Sequence, residues 1–330
     1  MNNMQQCPNF FTLTQNFEKQ IGDTGSFIWA SYSGLWKIYT EVNKINEKIT
    51  VTNWREIEEY LLGDVPTAWG IDLKELALNK HWDDHRRSFE QLVLSQAFVL
   101  YEEWAALFSN LIAPSLSKIA EVLQFPSTAP RNKLPNSHPK TWLALKSNFD
   151  SNPSNLIQTD YQPALVAQYA KTLIHLDSLL LWYRFFKECR NSYTHAGGYH
   201  TPASVQAYSL AIPVPLTNIG MSRDVLLSAP PVVGDPINLG LENAVLSLGV
   251  IGRLANAFDA ILCHSKDAEF YMTDRLKHAV KTHLSNRLPG GSWNARVRYL
   301  RSALRYAGLP FPKNFVSTEA HFKDNKLIAF

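Results

Sequence analysis

The chain has 330 residues, 45% of them apolar and 12% aromatic, enough to bury a full core and in the ordinary globular range, so a folded protein is expected. Its net charge of +3 is too small to imply a polyanion partner by itself, but 12 of the lysines and arginines lie in residues 266–330 against five carboxylates. That end carries +7 and the preceding 265 residues −4, a distribution that suggests a local site for a phosphate backbone or, equally, a solvated basic face.

Three widely spaced cysteines (Cys7, Cys189, Cys263) form no CxxC pair, which argues against a disulfide framework and a cysteine-based zinc site and fits a reducing cytoplasm. The opening MNNMQQCPNF lacks a basic region followed by an apolar core, so no secretory signal is expected. The most apolar windows, Leu173–Phe186 and Leu241–Cys263, are interrupted by charges such as Asp177, Arg184, Arg253 and Asp259. They are expected to be buried core helices, with no membrane partner.

Residues 1–79 form a mixed opening without evident chemistry, an accessory segment. Phe27–Asn46 has the spacing of an amphipathic helix, Ile49–Thr52 of a short strand, and Trp54–Leu62 of a helix capped by Asn53. The strongest pattern follows: Asp84–Leu111 contains no glycine or proline and predicts one long helix with a wide apolar face. Ser115–Leu123 continues as a helix, and four prolines between Phe125 and Pro139 predict a surface loop. Helix resumes at Pro163 and runs to about Thr194, where Gly197 and Gly198 stop it. Six prolines then interrupt residues 199–240, and the weak alternation of Ser204–Ile212 predicts a short strand or hairpin. Gly240–Cys263 returns to strongly apolar helix, followed by helices over Ala268–Leu284 and Trp293–Ala307. The expectation is a mainly α protein, a helical bundle with a small strand or hairpin insertion and extra helices at both ends. It divides into residues 1–79, a helical domain over 80–265 and a basic C-terminal extension over 266–330.

Chemistry concentrates at the end of the third long helix, in Arg190-Asn191-Ser192-Tyr193-Thr194-His195 before the Gly197-Gly198 stop. The unpaired carbonyls of a helix end favour a protonated imidazole at His195. Arg190 is a permanent cation whose planar fork suits a phosphate, and Asn191 adds an amide donor and acceptor. An acid–base group, a phosphate clamp and an amide within six residues suit phosphodiester cleavage. On a regular helix, however, five residues separate Arg190 and His195 by about 140°. A frayed last turn or a second copy of the chain is needed to focus them. The alternative is structural, with Arg190 paired to Glu188 or a loop carboxylate and His195 capping carbonyls.

This run resembles the motif of the HEPN superfamily, in which Arg, a polar residue and then His lie on a helix of a four-helix domain. The apolar helix leading into Arg190, the glycine break and the later apolar helix at Gly240–Cys263 extend the resemblance over residues 80–265. It implies a metal-independent endoribonuclease, without cofactor, in which two protomers bring their Arg–His motifs together across a symmetric homodimer interface. His195 would then act on the ribose 2′-hydroxyl or the leaving oxygen, Arg190 would hold the scissile phosphate, and Asn191 would orient the pair. A 2′,3′-cyclic phosphate is the implied product, and DNA is implied to resist. Within the family a role in phage defence or as a growth-arresting toxin is common, with an antitoxin or activating partner protein. Some such toxins carry a tyrosine two positions after the histidine; Gly197 stands there in this chain. Three readings follow: the endoribonuclease, a non-catalytic HEPN-like module binding RNA or protein, and an enzyme active only with an activator.

Two weaker patterns remain. His81-Trp82-Asp83-Asp84-His85 has feasible metal spacing, but the same residues serve as a polar first turn with Asp83 or Asp84 as cap, and no metal is expected. In the last helix, capped by Ser292 and stopped by Gly308, Trp293, Val297, Leu300 and Leu304 form the expected buried face. Arg298, Arg301 and Arg305 form a stripe beside it with Tyr299 and Tyr306 interleaved, and Lys277 and Lys281 extend the basic character on the preceding helix. Arginines among aromatics suit RNA phosphates and unstacked bases; the alternative is that they snorkel or pair with the acidic body. The chain has no P-loop, no nucleophile elbow and no HExxH helix, so those chemistries are unsupported.

Overall fold

The computed structural model describes residues 9–48, 53–63, 72–114, 118–126, 139–225, 227–285 and 291–327, and the regular elements among these are all helices, a mainly α bundle. The chain runs through α1 (Thr12–Lys48), α2 (Trp54–Leu62), α3 (Trp82–Ile112), α4 (Ile119–Gln124), α5 (Trp142–Ser151), α6 (Gln162–Gln168) and α7 (Ala170–Ile174). It continues through α8 (Leu176–His195), α9 (Pro202–Ala211), α10 (Leu241–Leu262), α11 (Lys266–His283), α12 (Trp293–Tyr306) and α13 (Phe315–Asp324).

Four long helices, α1, α3, α8 and α10, pack on one another and enclose the main core. The pairing of α3 with α8 is antiparallel: Glu90 meets Tyr193 near one end, and Tyr101 meets Tyr183 toward the other, ring centroids 5.2 Å apart. Helix α1 is also antiparallel to α3, with Phe17 against Trp104 and Tyr32 against Phe89. The apolar stripe of α3, from Val93 and Leu94 through Tyr101 and Trp104 to Ile112, is fully buried, which is why a run without helix breakers becomes a single 31-residue element. By length and composition α10 is long and apolar enough to cross a membrane, and 78% of its most apolar window is buried in this bundle. Each large side chain buried there contributes roughly 1.5–3 kcal/mol.

Several caps and stops follow the residues expected of them. Asn53 accepts from the Arg55 amide, Ser292 from Ala295, and Gly197, Gly198 and Gly308 adopt positive φ where α8 and α12 stop. The predicted strand at Ile49–Thr52 and most of the loop at 125–139 lie outside the described residues.

Several expectations are corrected. No strand exists among the described residues, only the isolated bridges Pro153–Ser265 and Tyr199–Pro236. The predicted strand or hairpin at Ser204–Ile212 is instead helix α9. Thr201 and Ser204 form a reciprocal capping box, Pro202 presets the first turn, and the buried Ser204, Ala207 and Ala211 follow a helical rather than a twofold spacing. The single helix expected from Pro163 to Thr194 is three, broken at Tyr169 and His175, both with ψ near zero. Tyr169 turns at its break to donate its hydroxyl to Asn9 ahead of α1. A π-helical turn, Ile157–Tyr161, precedes the expected start. His81, rather than Asp83 or Asp84, caps α3, accepting from the Asp83 amide at 3.3 Å. In α12 the buried face is Tyr299, Leu300, Ala303 and Leu304, while Trp293 is 41% exposed and Val297 half-buried.

Candidate active site

Helix α8 carries the Arg–His run. Leu179, Trp182, Tyr183, Phe185, Phe186 and Cys189 bury one side of it, and the helix stays regular to His195. Beyond Ala196 the chain turns through Gly197 and Gly198 at φ +63° and +83°, and the Gly198 amide returns to the Ser192 carbonyl at 3.1 Å. Pairing with residues 234–237 then fixes the turn: Ile237 donates to Gly198, His200 to Asp235 and Gly234 to His200.

A buried carboxylate locks this end of the bundle. Glu90 of α3 has no solvent exposure and accepts from the Leu239 amide at 3.1 Å and the Tyr193 hydroxyl at 3.3 Å. The Arg86 guanidinium lies 3.6 Å away. Burial pushes the Glu90 carboxyl above the usual carboxylate range; Arg86 and the hydrogen-bond donors oppose that shift without cancelling it. One side chain therefore ties α3 to the last turn of α8 and to the entry of α10.

Arg190 sits a turn and a half before His195 with 22% of its side chain exposed. It donates to Asn191 Oδ1 at 3.3 Å and lies 3.9 Å from Glu102 Oε2 of α3, so the carboxylate facing it is Glu102 and not Glu188. Glu188 pairs instead with Arg184, at 2.5 Å. Glu102 already has a closer partner in Lys187, at 3.1 Å. Lys187 is 1% exposed, donates to the Gln124 carbonyl at 2.9 Å and lies 3.4 Å from the centroid of Phe125. Burial pulls its pKa down to about 8, against the pull of Glu102 in the other direction.

His195 is exposed, and among the described residues no hydrogen bond or ion pair engages its ring. The fold thus brings Arg190 and Asn191 into contact and leaves His195 on another side of the same unfrayed helix, about 140° away.

The five basic residues expected to meet RNA, Lys277 and Lys281 on α11 and Arg298, Arg301 and Arg305 on α12, are all exposed and make no ion pair among the described residues. Their helices pack on each other, with His283 stacked on Tyr306 at 4.5 Å, and Arg301 lies 5.3 Å from the Phe315 ring. Of the possible metal ligands at the start of α3, His81 caps the helix and His85 bonds the Leu76 carbonyl at 2.7 Å. No cluster of three or more metal-ligating side chains occurs among the described residues.

Sequence reasoning missed Glu102, Lys187 and Glu90, and also a cleft of about 340 Å³ beside the glycine turn. It is lined by Arg87, Ser88 and Gln91 of α3 together with Gly197, Gly198 and Tyr199. Residues about a hundred positions apart meet there through the antiparallel α3–α8 pairing, and no local pattern marks them. No family model, curated protein or solved structure matches the chain.

Proposed function

We propose that this protein is a metal-independent endoribonuclease of HEPN type, acting as a homodimer through Arg190, Asn191 and His195. The observation that carries the reading is the state of His195: a solvent-facing imidazole in the last turn of a regular helix, without a partner among the described residues, five residues after an arginine that is only loosely held. Lys187 already neutralises Glu102 at the shorter distance, so the Arg190 fork is available to a phosphate. Because one helix holds Arg190 and His195 apart, the working site takes its second histidine from another copy of the chain. The exposed Leu92, Val99 and Leu107 on α3, the helix that bears Glu102, support such self-association.

In the cleavage step the neutral imidazole of one His195 takes the proton of the ribose 2′-hydroxyl, and that oxygen attacks the adjacent phosphorus. The P–O5′ bond breaks, and the partner copy's protonated His195 gives its proton to the departing oxygen. Arg190 donates to the non-bridging oxygens as negative charge builds there, and Asn191 holds the guanidinium in place. The products are a 2′,3′-cyclic phosphate and a 5′-hydroxyl. A role as a toxin or phage-defence effector follows from the same resemblance, and expression should then arrest growth unless His195 or Arg190 is replaced.

The test is cleavage of end-labelled single-stranded RNA by the full chain in EDTA, beside a His195→Ala control. Cleavage that survives chelation and vanishes in the variant supports the proposal. Equal cleavage in both, or none in either, rejects the protein alone as the enzyme. A second reading, a non-catalytic module binding RNA, is favoured by one observation: the five cations of α11 and α12 are exposed and free of ion pairs among the described residues. It predicts RNA retention that is indifferent to His195→Ala and weakened by changes at Arg298, Arg301 and Arg305.

A further inference from the structure

The cleft beside the glycine turn offers three unlike groups at its rim. The Tyr199 ring is 51% exposed, yet its backbone is held by the bridge to Pro236, and its edge lies 3.6 Å from where a Gly197 side chain would begin. Gln91 is exposed, with no side-chain hydrogen bond among the described residues. Arg87 is 45% exposed, and its nearest carboxylate, Asp84, is 3.8 Å away in water, an ion pair of little strength. At about 340 Å³ the cleft is at the small end of the ~300–1,000 Å³ range of small-molecule sites. Gly197 and Gly198 line it beside the Tyr193 and Tyr199 rings, together with Pro236 and Ile237. Gly197 is two residues beyond His195, so the two α-carbons are within about 7.6 Å of each other along the chain.

We propose that this cleft holds one unpaired nucleotide of single-stranded RNA next to the scissile phosphate: Tyr199 stacks its base, Gln91 bonds the base edge, and Arg87 takes its flanking phosphate. The assignment of the neighbouring phosphate as the scissile one rests on the endoribonuclease reading; the binding of the nucleotide does not. A rigid exposed ring gives affinity for any base, a free amide discriminates among base edges, and a guanidinium adds a salt-dependent phosphate contact. A base inside a duplex cannot reach such a ring, so the cleft selects unpaired RNA.

The test has two arms. In the first, full-length His195→Ala protein, which keeps RNA intact under the nuclease reading, is irradiated with a single-stranded decamer carrying one 4-thiouridine, and the crosslinked peptide is mapped. Crosslinking to the peptide containing Tyr199, competed by unlabelled single-stranded decamer and not by the same sequence as a duplex, is the expected result. Crosslinks confined to α11 and α12 overturn the proposal. In the second arm, cleavage by Tyr199→Ala should show KM raised about tenfold or more with kcat little changed, since stacking on an aromatic contributes roughly 1–3 kcal/mol per base. Tyr199→Phe should restore the wild-type KM, and Gln91→Ala should reduce the base preference at the cut. If cleavage depends on His195 but KM and base preference ignore Tyr199 and Gln91, the subsite is wrong and the nuclease reading stands. If no cleavage occurs, the nuclease reading fails, and the crosslink alone decides whether the cleft binds RNA.

Discussion

Arg190→Ala separates a structural from a chemical role, because the two predict costs of different size in different assays. Structurally, the substitution removes a 3.9 Å ion contact to Glu102 and a 3.3 Å hydrogen bond to Asn191, both at the edge of solvent. Glu102 keeps Lys187 at 3.1 Å, and water reaches the amide of Asn191, so no buried charge is left without a partner. A partly exposed ion pair of this kind contributes about 1 kcal/mol at most. The melting temperature should fall by no more than roughly 2–4 °C. Chemically, loss of a donor aimed at developing phosphate charge lowers kcat about a hundred- to a thousandfold, or roughly 2.7–4 kcal/mol in the transition state. The variant should therefore melt almost like the wild type and be nearly inactive. Arg190→Lys retains the charge beside Glu102 but not the planar fork, and should fall between the two in single-turnover cleavage. Full activity in Arg190→Ala would end the case for this arginine. A loss of activity that tracks a melting drop of ten degrees or more would show that it holds α8 to α3 and does no chemistry.

Three further outcomes are expected. Asp259 is wholly buried and accepts from the Phe10 and Phe11 amides at 2.8 and 3.1 Å, yet burial pushes its carboxyl up to about 7. Its native pKa thus lies above the unfolded value of about 3.9, so the folded chain holds this proton where the unfolded chain has released it. The stability that this proton brings is complete below about pH 4, declines as pH rises through 7 and is level above; Asp259→Asn should flatten that decline in urea midpoints taken between pH 4.5 and 7.5, and an unchanged slope would disprove the assignment. Gly198→Ala forces a side chain onto φ +83° with its Cβ 3.3 Å from the Tyr193 ring, so it should cost about 1–2 kcal/mol and more than Gly197→Ala, whose Cβ meets the Tyr199 ring at 3.6 Å; equal urea midpoints would contradict this. Replacing Arg298, Arg301 and Arg305 together by alanine should weaken binding of single-stranded RNA and reduce the salt dependence of log K by about 2, with melting nearly unchanged; an undiminished salt slope would place the phosphate contacts elsewhere.

How much of this molecule was legible in its sequence depended on how local the determining physics is. Helix α3 could be read because 28 consecutive residues from Asp84 to Leu111 contain no breaker, and its apolar spacing needs no partner to be recognised. The caps Asn53 and Ser292 and the stop at Gly197-Gly198 were equally local. Helix α9 was not, because a short stretch rich in alanine and serine satisfies a twofold and a helical period almost equally. Its deciding signal, the capping box at Thr201 and Ser204, lies at the edge of the window. The breaks at Tyr169 and His175 were also missed; the bond from Tyr169 to Asn9 joins residues 160 apart in sequence. Trp293 was assigned to a buried face by periodicity alone, although residues 293 and 294 at the start of α12 are exposed.

The same distinction governs the candidate site. The identity and order of Arg190, Asn191 and His195 are local, and so is the helix that carries them, which is why a candidate chemistry could be proposed before the fold. Their environment is not local: the carboxylate beside Arg190 comes from α3, the lysine that neutralises that carboxylate is buried under Phe125, and the cleft at the helix end is built in part from α3. An unfrayed α8 also makes a firm geometric statement. Bending α8 to bring Arg190 and His195 onto one phosphate would move Tyr193, which lies between them, away from Glu90. That bond ends on a carboxylate with no solvent exposure, where losing a donor costs about 1–3 kcal/mol. Bringing a second chain's histidine to the arginine leaves this lock intact, whereas remodelling the helix end would break it. If these residues act together on RNA, association of two chains is therefore the lower-energy route.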